Sequence, residues 1–148
     1  MKEYIHGGDI YRHPDVLDYS ANINPLGTPP GVIRAAKDSM EWICHYPDAC
    51  QEKLKQALAE YEQVPVEWLI CGNGAAELIF ALVQAVKPKR ALVLAPTFAE
   101  YAQALEAVGC EVNREILKKE DGFTLQDRIL DRLQKEDLQM VFLTGLHR

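Results

Sequence analysis

Residues 68–98 read WLICGNGAAELIFALVQAVKPKRALVLAPTF, and they carry the main signal for the fold class. Residues 68–71 and 91–95 are short apolar runs of strand length, whereas residues 75–86 are apolar on nearly every face, as a buried helix is. Pro88 ends that helix. A strand, a helix and a strand at this spacing predict parallel pairing through a right-handed crossover, with both faces of the sheet covered.

The same alternation continues beyond residue 98. Thr97 and Glu100 have the spacing of a capping box, which would open the next helix. The further predicted elements are that helix through residue 108, a strand at 111–117, a helix at 124–134 and a strand at 138–143. We therefore predict an α/β fold, a three-layer sandwich with a mainly parallel sheet.

Residues 1–30 differ from the rest of the chain, because they hold four of the eight prolines and show no sustained periodicity. From Gly31 onward the chain is regular, with one helix beginning near that residue and another at 49–62, behind Asp48 as its N-cap. We predict an irregular N-terminal arm over 1–30 and an α/β domain over 31–148.

The composition of the chain argues against several classes of function. The 148 residues include 16 Lys+Arg and 22 Asp+Glu, for a net charge of −6, and this acidic balance argues against nucleic-acid binding. At 48% hydrophobic residues the chain is expected to fold. No apolar run reaches the roughly 18–20 residues of a membrane span, and the start lacks the apolar core of a secretory signal. We expect a cytoplasmic protein that binds neither nucleic acid nor membrane.

The four cysteines form no Cys-x-x-Cys pair. Cys44 and Cys50 bracket His45, so a zinc site there stays open as an alternative. Buried free thiols are the favoured interpretation, in keeping with a reducing compartment.

The turn at residues 71–77, Cys-Gly-Asn-Gly-Ala-Ala-Glu, is the first candidate site. Its glycines let the backbone approach a ligand, and the amides of Gly74, Ala75 and Ala76 would point outward from a helix start with partial positive charge. The sequence matches neither a P-loop nor Gly-x-Gly-x-x-Gly. A phosphate site and a plain tight turn both remain possible at this point.

Two further candidates follow. Phe98 would offer a flat face to a planar ring, unless it joins Tyr101, Leu105 and Val108 in an ordinary core stripe. In the arm, His6 and Gly7 could meet an anion, and of Asn22 and Asn24 one could face a site while the other stabilises a turn. The alternative is that these arm residues only stabilise turns and bind no ligand.

Five motifs, taken together, resemble the amino-terminal part of the fold-type I enzymes that use pyridoxal 5′-phosphate (PLP), the class I/II aminotransferase superfamily. They are His-Gly-Gly at 6–8, Ser-Ala-Asn-Ile-Asn-Pro-Leu-Gly at 20–27, His-Tyr-Pro-Asp at 45–48, Gly-Asn-Gly at 72–74 and Phe-Ala-Glu-Tyr at 98–101. The arm most resembles the L-threonine-O-3-phosphate decarboxylases of cobalamin biosynthesis. The related histidinol-phosphate aminotransferases usually have Asn-Glu-Asn-Pro-x-Gly at the position of residues 22–27.

The resemblance implies an incomplete PLP-binding large domain over residues 31–148. It implies that the amides of Gly74, Ala75 and Ala76 hold the cofactor phosphate and that Phe98 stacks on its ring. Tyr46 would reach the cofactor phosphate of a neighbouring subunit, which implies a homodimer. The phosphorylated amino-acid substrate would contact His6, Gly7 and Asn22, and no metal is implied.

The implied reaction is decarboxylation of L-threonine O-3-phosphate to (R)-1-aminopropan-2-yl phosphate. In the family, the Schiff-base lysine and the aspartate at the pyridine nitrogen lie beyond the part that this chain matches, and no lysine here is a credible substitute. We therefore assign no catalytic residue and expect a polypeptide of these 148 residues to have little activity alone. A histidinol-phosphate aminotransferase and a non-enzymatic α/β remnant or interaction module are the alternatives.

Overall fold

The computed structural model describes residues 7–144. The chain divides into two compact units, Met1–Ile70 and Cys71–Arg148, which we treat separately. The boundary at residue 30 between an arm and a domain stays a prediction. In the described part of the chain, no helix combines the length and apolar character that crossing a membrane requires.

The first unit is built from short helices. Helix α1 spans Pro30–Asp38 with proline at its first position, and a 3-10 turn at Ser39–Trp42 continues it. Helix α2 spans Glu52–Glu62. None of the residues of this unit that the structure describes is buried, so its apolar side chains lie at the surface of the chain.

Asp48 binds backbone amides at the start of α2, although Gln51 and not Asp48 is the N-cap residue. Its carboxylate oxygens accept hydrogen bonds from the backbone amides of Cys50 (2.9 Å) and Glu52 (3.0 Å). Gln51 takes a left-handed conformation with φ of 55°, so the helix begins three residues later than predicted.

The predicted strand at 68–71 is wrong. A 3-10 turn covers Val66–Trp68, and Leu69 is extended, but this run pairs with no strand in the part of the chain that the structure describes. Trp68 and Ile70 are 75% and 76% exposed. A run of four apolar residues carries no information about a pairing partner, and here none of the described strands provides one.

The second unit contains the sheet. Strands β1 (Arg90–Ala95), β2 (Glu111–Ile116) and β3 (Met140–Phe142) are parallel in the order β2-β1-β3. Arg90 pairs with Glu111, and Ala91 with Met140. The helices are α3 (Gly74–Val86), α4 (Ala99–Ala107) and α5 (Arg128–Lys135). The predicted alternation beyond residue 75 is confirmed, with α5 and β3 shorter than predicted.

One face of the sheet packs on α3 and α4. Ala91 and Val93 of β1 form a core with two side chains of each helix, namely Ile79, Val83, Ala104 and Leu105. Along β1, Ala91 and Val93 alternate with Leu92 and Leu94, which must therefore face the opposite side of the sheet.

The opposite face is covered by α5. Leu92 and Leu94 are buried on that side, and Leu94 pairs with Glu115 of β2. The Glu115 carboxylate accepts hydrogen bonds from Arg128 (2.8 Å) and Arg132 (2.7 Å) of α5, which places this helix on the same face. Helices therefore cover both sides of the sheet, and the predicted three-layer α/β architecture is confirmed.

Candidate active site

The candidate residues of the second unit meet at one edge of the sheet. Helix α3 and strand β1 are each about 20 Å long, from 13 helical and six extended residues. Lys87 and Pro88 reverse the chain between them. The start of α3 therefore lies at the level where β1 ends, and Phe98 at the start of α4 lies at the same carboxyl edge. Open α/β sheets bind ligands at this edge.

Glycine is favoured at two positions around the start of α3. A Cβ built on Gly72 would lie 2.7 Å from Leu78 Cδ2, closer than carbon atoms can pack. Gly74 has a φ of +83°, and a Cβ built there would meet nothing within 4 Å. The backbone at Gly74 therefore faces open space, in a conformation that L residues avoid.

The amides of the turn fall into two groups. The Asn73 amide donates to the Glu77 carboxylate, and the Gly74 amide donates to the Gly72 carbonyl at 2.9 Å. The amides of Ala75 and Ala76 lie in the first helical turn, which has no intrahelical acceptor for them, and within residues 7–144 no other acceptor is recorded. Two amides at the positive end of a 13-residue helix are thus available to an anion such as a phosphate.

Phe98 and Tyr101 have different surroundings. Phe98 is 45% exposed, whereas Tyr101, with Val108, packs against the core around Leu105. The Tyr101 ring meets the Phe98 ring edge-on at 5.8 Å between centroids and stacks on the Phe142 ring at 4.5 Å. The core-stripe interpretation therefore holds for Tyr101 and not for Phe98, whose ring keeps a free surface.

Thr97 is not the helix cap that the sequence predicts. The N-cap of α4 is Phe98, and no side chain caps it. The Thr97 hydroxyl instead forms a 2.6 Å hydrogen bond with the hydroxyl of Thr144, beyond the end of β3. The capping-box pattern indicated the helix start correctly and assigned the wrong partner to Thr97.

The arm candidates belong to the first unit. A Cβ on Gly7 would lie 2.1 Å from the Ser20 carbonyl oxygen, so glycine is needed for close backbone approach. Asn24 stabilises a turn, donating to the Gly27 carbonyl (2.8 Å) and accepting from the Leu26 amide (3.1 Å). Asn22 is exposed and has no recorded hydrogen bond in the described chain. Asn24 is therefore the member of the pair that stabilises a turn, and a site contact for Asn22 stays a prediction.

Other arm features are compatible with ligand binding. An open pocket of about 390 Å³ is lined by Gly7, Asp9, Ile10, His13, Val16, Asp18 and Ser20. Hydrogen bonds from the Ser20 hydroxyl and amide hold the pKa of Asp18 below its ordinary value. Tyr46 is fully exposed. His6 lies outside the described residues.

The cysteine prediction is corrected in part. Cys44 and Cys50 are exposed, Cys71 is half-buried and Cys110 is buried. The prediction of buried thiols is therefore wrong for Cys44 and Cys50, which lie in the unit without buried residues. Burial raises the pKa of the Cys110 thiol, with a smaller contribution from the charge of Glu111. Within residues 7–144 no three His, Cys, Asp or Glu side chains are grouped so as to hold a metal.

Two polar contacts at this edge were not predicted. The Glu77 carboxylate on the Asn73 amide resembles half of a capping box, so an acidic residue four positions after Asn73 was an available signal. The Thr97–Thr144 bond joins residues 47 positions apart and leaves no local signal.

Comparison with known proteins supplies the family. The family model for aminotransferase class I and II matches residues 14–148. The threonine-phosphate decarboxylase of Salmonella typhimurium is 47% identical over 146 residues, which cover 93% of this chain and 40% of that protein. A histidinol-phosphate aminotransferase of Desulfitobacterium hafniense is 39% identical over 101 residues, 67% of this chain and 28% of the relative.

A solved structure agrees with the sequence matches. The histidinol-phosphate aminotransferase of Clostridium acetobutylicum superposes with a TM-score of 0.68 at 25% identity, over 85% of this chain and 36% of that one. The chain spans 40% and 37% of the length of two curated relatives that each match 93% of it.

Proposed function

Because the chain belongs to the aminotransferase class I and II family, we propose that its function is the PLP-dependent decarboxylation of L-threonine O-3-phosphate in cobalamin biosynthesis. The structural observation that carries the cofactor assignment is the pair of available amides, Ala75 and Ala76, beside the open backbone of Gly74. The substrate assignment is supported by the 47% identity to the Salmonella threonine-phosphate decarboxylase.

The turn at residues 72–77 fits the phosphate of PLP. Gly74 keeps side-chain atoms away from the approach, and Ala75 and Ala76 provide two donors at a helix N-terminus. Gly74 itself contributes its conformation, since its amide is bonded to Gly72. The Glu77 carboxylate holds the Asn73 amide and so fixes the turn before a ligand arrives.

Phe98 supplies the flat surface against which the pyridine ring would stack. Its ring is 45% exposed and is held edge-on by Tyr101, so one side is available without rearrangement of the core. When bound, PLP supplies an electron-accepting ring that takes up the electron pair left as a bond at the substrate Cα breaks. In the proposed reaction that bond joins Cα to the carboxylate, CO2 leaves, and a proton takes its place.

Substrate binding is assigned to the arm. Gly7 and Asn22 would contact the phosphorylated amino acid together with His6, and exposed Tyr46 would reach the cofactor phosphate of a second subunit in a homodimer. The absence of a recorded partner for Asn22 within the described residues supports its availability. We further propose a cytoplasmic location for the protein.

A titration calorimeter tests the binding proposal directly. We expect the protein to bind PLP, and inorganic phosphate to compete with it, because both anions use the amides of Ala75 and Ala76. With PLP bound, L-threonine O-3-phosphate should bind more tightly than L-threonine. No binding of PLP, or binding that phosphate leaves unchanged, would contradict the proposal.

A histidinol-phosphate aminotransferase is the second candidate, supported by the 39% identity to the D. hafniense enzyme. The two candidate substrates differ at Cα, since L-histidinol phosphate has no carboxylate. Preference for L-histidinol phosphate over L-threonine O-3-phosphate in the same titration would favour the aminotransferase.

A further inference from the structure

Two hydroxyl groups join neighbouring strand ends at the carboxyl edge of the sheet. Thr97 lies two residues beyond β1, and Thr144 lies two residues beyond β3. Their Oγ1 atoms are 2.6 Å apart, a short hydrogen bond between residues separated by 47 positions. Because β1 and β3 are adjacent and parallel, their carboxyl ends lie side by side, and the bond joins the two segments that follow those ends.

Phe98 is held between this bond and an aromatic stack. It directly follows Thr97, and its ring contacts Tyr101 edge-on with an interplanar angle of 80°. Tyr101 in turn stacks on Phe142 at 22°. Both connections therefore lead from the start of α4 to the end of β3, one through the backbone at Thr97 and one through the ring of Tyr101.

We propose that the Thr97–Thr144 hydroxyl pair positions the Phe98 ring for stacking on the cofactor. The inference rests on the proposed function, because Phe98 needs a fixed direction only if its ring supports a ligand. Thr97 and Thr144 are positioning residues, which act through Phe98 and touch no reacting atom.

The position of Thr97 favours this role over helix capping. No side chain caps α4, so the Thr97 hydroxyl is directed to β3 rather than to the amides of its own helix. Phe98, as N-cap residue, has extended backbone angles (φ −61°, ψ 127°). The helical hydrogen bonds of α4 therefore do not fix the direction of its ring. The hydrogen bond from Thr97 to Thr144 restricts the backbone directly before Phe98. The ring contact with Tyr101 does not restrict that backbone.

The experiment compares three single variants at Thr97 and Thr144, their double valine variant and one control variant with the wild-type protein. Thr97→Val and Thr144→Val remove one hydroxyl each with little change in shape, and Thr97→Ser retains the hydroxyl. Thr124→Val is the matched control, because Thr124 is exposed and its hydroxyl has no recorded hydrogen bond within the described residues. Circular dichroism verifies that each variant is folded.

The first readout needs no ligand. The protein is labelled with 4-fluorophenylalanine, and the ¹⁹F signal of Phe98 is assigned among the four phenylalanines with Phe98→Leu. We expect both valine variants to shift or broaden the Phe98 signal, Thr97→Ser to restore it, and Thr124→Val to leave it unchanged. An unchanged Phe98 signal in the valine variants would overturn the inference.

The second readout is affinity. One net hydrogen bond corresponds to about a 2- to 10-fold change in an equilibrium constant, so each valine variant should weaken PLP binding by that factor. Binding of inorganic phosphate, which does not use Phe98, should stay the same. The double variant should match the single variants, because both remove one shared bond.

The two proposals fail in different ways. A wild-type protein that binds neither PLP nor phosphate overturns the proposed function. A wild-type protein that binds PLP, with an affinity that Thr97→Val and Thr144→Val leave unchanged, overturns the positioning role alone. Equal loss of PLP and phosphate affinity also overturns it, since the pair would then support the whole site and not the ring.

Discussion

Replacing Gly74 with alanine tests the phosphate site with a single methyl group. The φ of Gly74 is +83°, and a Cβ built on it would meet nothing within 4 Å. The methyl group therefore introduces backbone strain without a steric clash. A left-handed conformation costs an L residue about 1–2 kcal/mol relative to glycine.

The strain should appear in ligand binding. Gly74 is exposed, and the turn is fixed by two hydrogen bonds, from Gly74 to Gly72 and from Asn73 to Glu77. We expect the free Gly74→Ala protein to relax to a negative φ, which turns the amides of Ala75 and Ala76 away from the ligand. Restoring the turn on binding then weakens PLP and inorganic phosphate by about 5- to 30-fold.

Gly109→Ala is the matched control. Gly109 has a φ of +74° with nothing within 4 Å of its built Cβ, and it lies between α4 and β2, at the opposite edge of the sheet. Urea unfolding should show a loss of at most about 2 kcal/mol for either variant. Calorimetry should show weaker PLP and phosphate binding for Gly74→Ala only. Equal losses in both variants, or undiminished binding by Gly74→Ala, would refute the assignment.

Three further predictions concern stability and reactivity. Glu115→Gln should lower the free energy of unfolding by about 1–3 kcal/mol, because Arg128 and Arg132 lose a buried charged acceptor. The hydrogen bond from Arg132 is the main cause that holds the pKa of Glu115 below its ordinary value. The stabilisation by the Glu115 carboxylate is therefore complete above the unfolded pKa near 4.3 and is lost as pH falls through the lower folded pKa. Urea curves of wild type and variant should therefore converge in acid, and a difference that persists there would contradict the ion-pair account. Leu105→Ala, at a fully buried site, should cost about 2–5 kcal/mol in the same assay, and Leu130→Ala, on the exposed side of α5, well under half of that. In Ellman titration Cys44 and Cys50 should react at once and Cys110 only after unfolding, since burial raises the pKa of its thiol; rapid reaction of Cys110 in the folded protein would be the contrary result.

The predictable part of the fold is the part with long or strongly periodic apolar segments. Strand β1 and helix α3 lie within one residue of their predicted bounds. Four of the six residues of β1 are buried, whereas α3 buries only Ile79 and Val83, so the prediction of a helix buried on nearly every face is wrong for α3. The run at 68–71 has the same composition as a buried strand, yet it is exposed and unpaired among the described strands. Four residues specify an extended backbone and not its neighbours.

The beginning of α5 was predicted too early for a local reason. Gly122 and Phe123 have positive φ values of 60° and 56°, which no periodic pattern reveals. The turn they form displaces the first helical residue from 124 to Arg128. Phenylalanine rarely takes this conformation, so composition gave no warning of it.

The same distinction separates the predictable and unpredictable halves of the candidate site. The turn at residues 72–77 depends on its own glycines and helix start, and both are visible in the sequence. The surroundings of Phe98 depend on β3, whose residues follow more than 40 positions later. Local pattern can therefore propose Phe98 as a ring support, but it cannot distinguish an exposed ring from a core residue.

Thr97 shows how the tertiary contact overrides the local preference. A threonine N-cap is worth about 1 kcal/mol, which is comparable to one net hydrogen bond elsewhere. Capping its own helix would have satisfied Thr97 locally, yet its hydroxyl is bonded to Thr144, and α4 begins at Ala99 with Phe98 as its N-cap residue and no side-chain cap. The energies alone do not decide between the two arrangements. What the observed one adds is a constraint on the residue that follows Thr97. Departures from local rules concentrate at functional sites, and here the departure lies directly before the exposed ring.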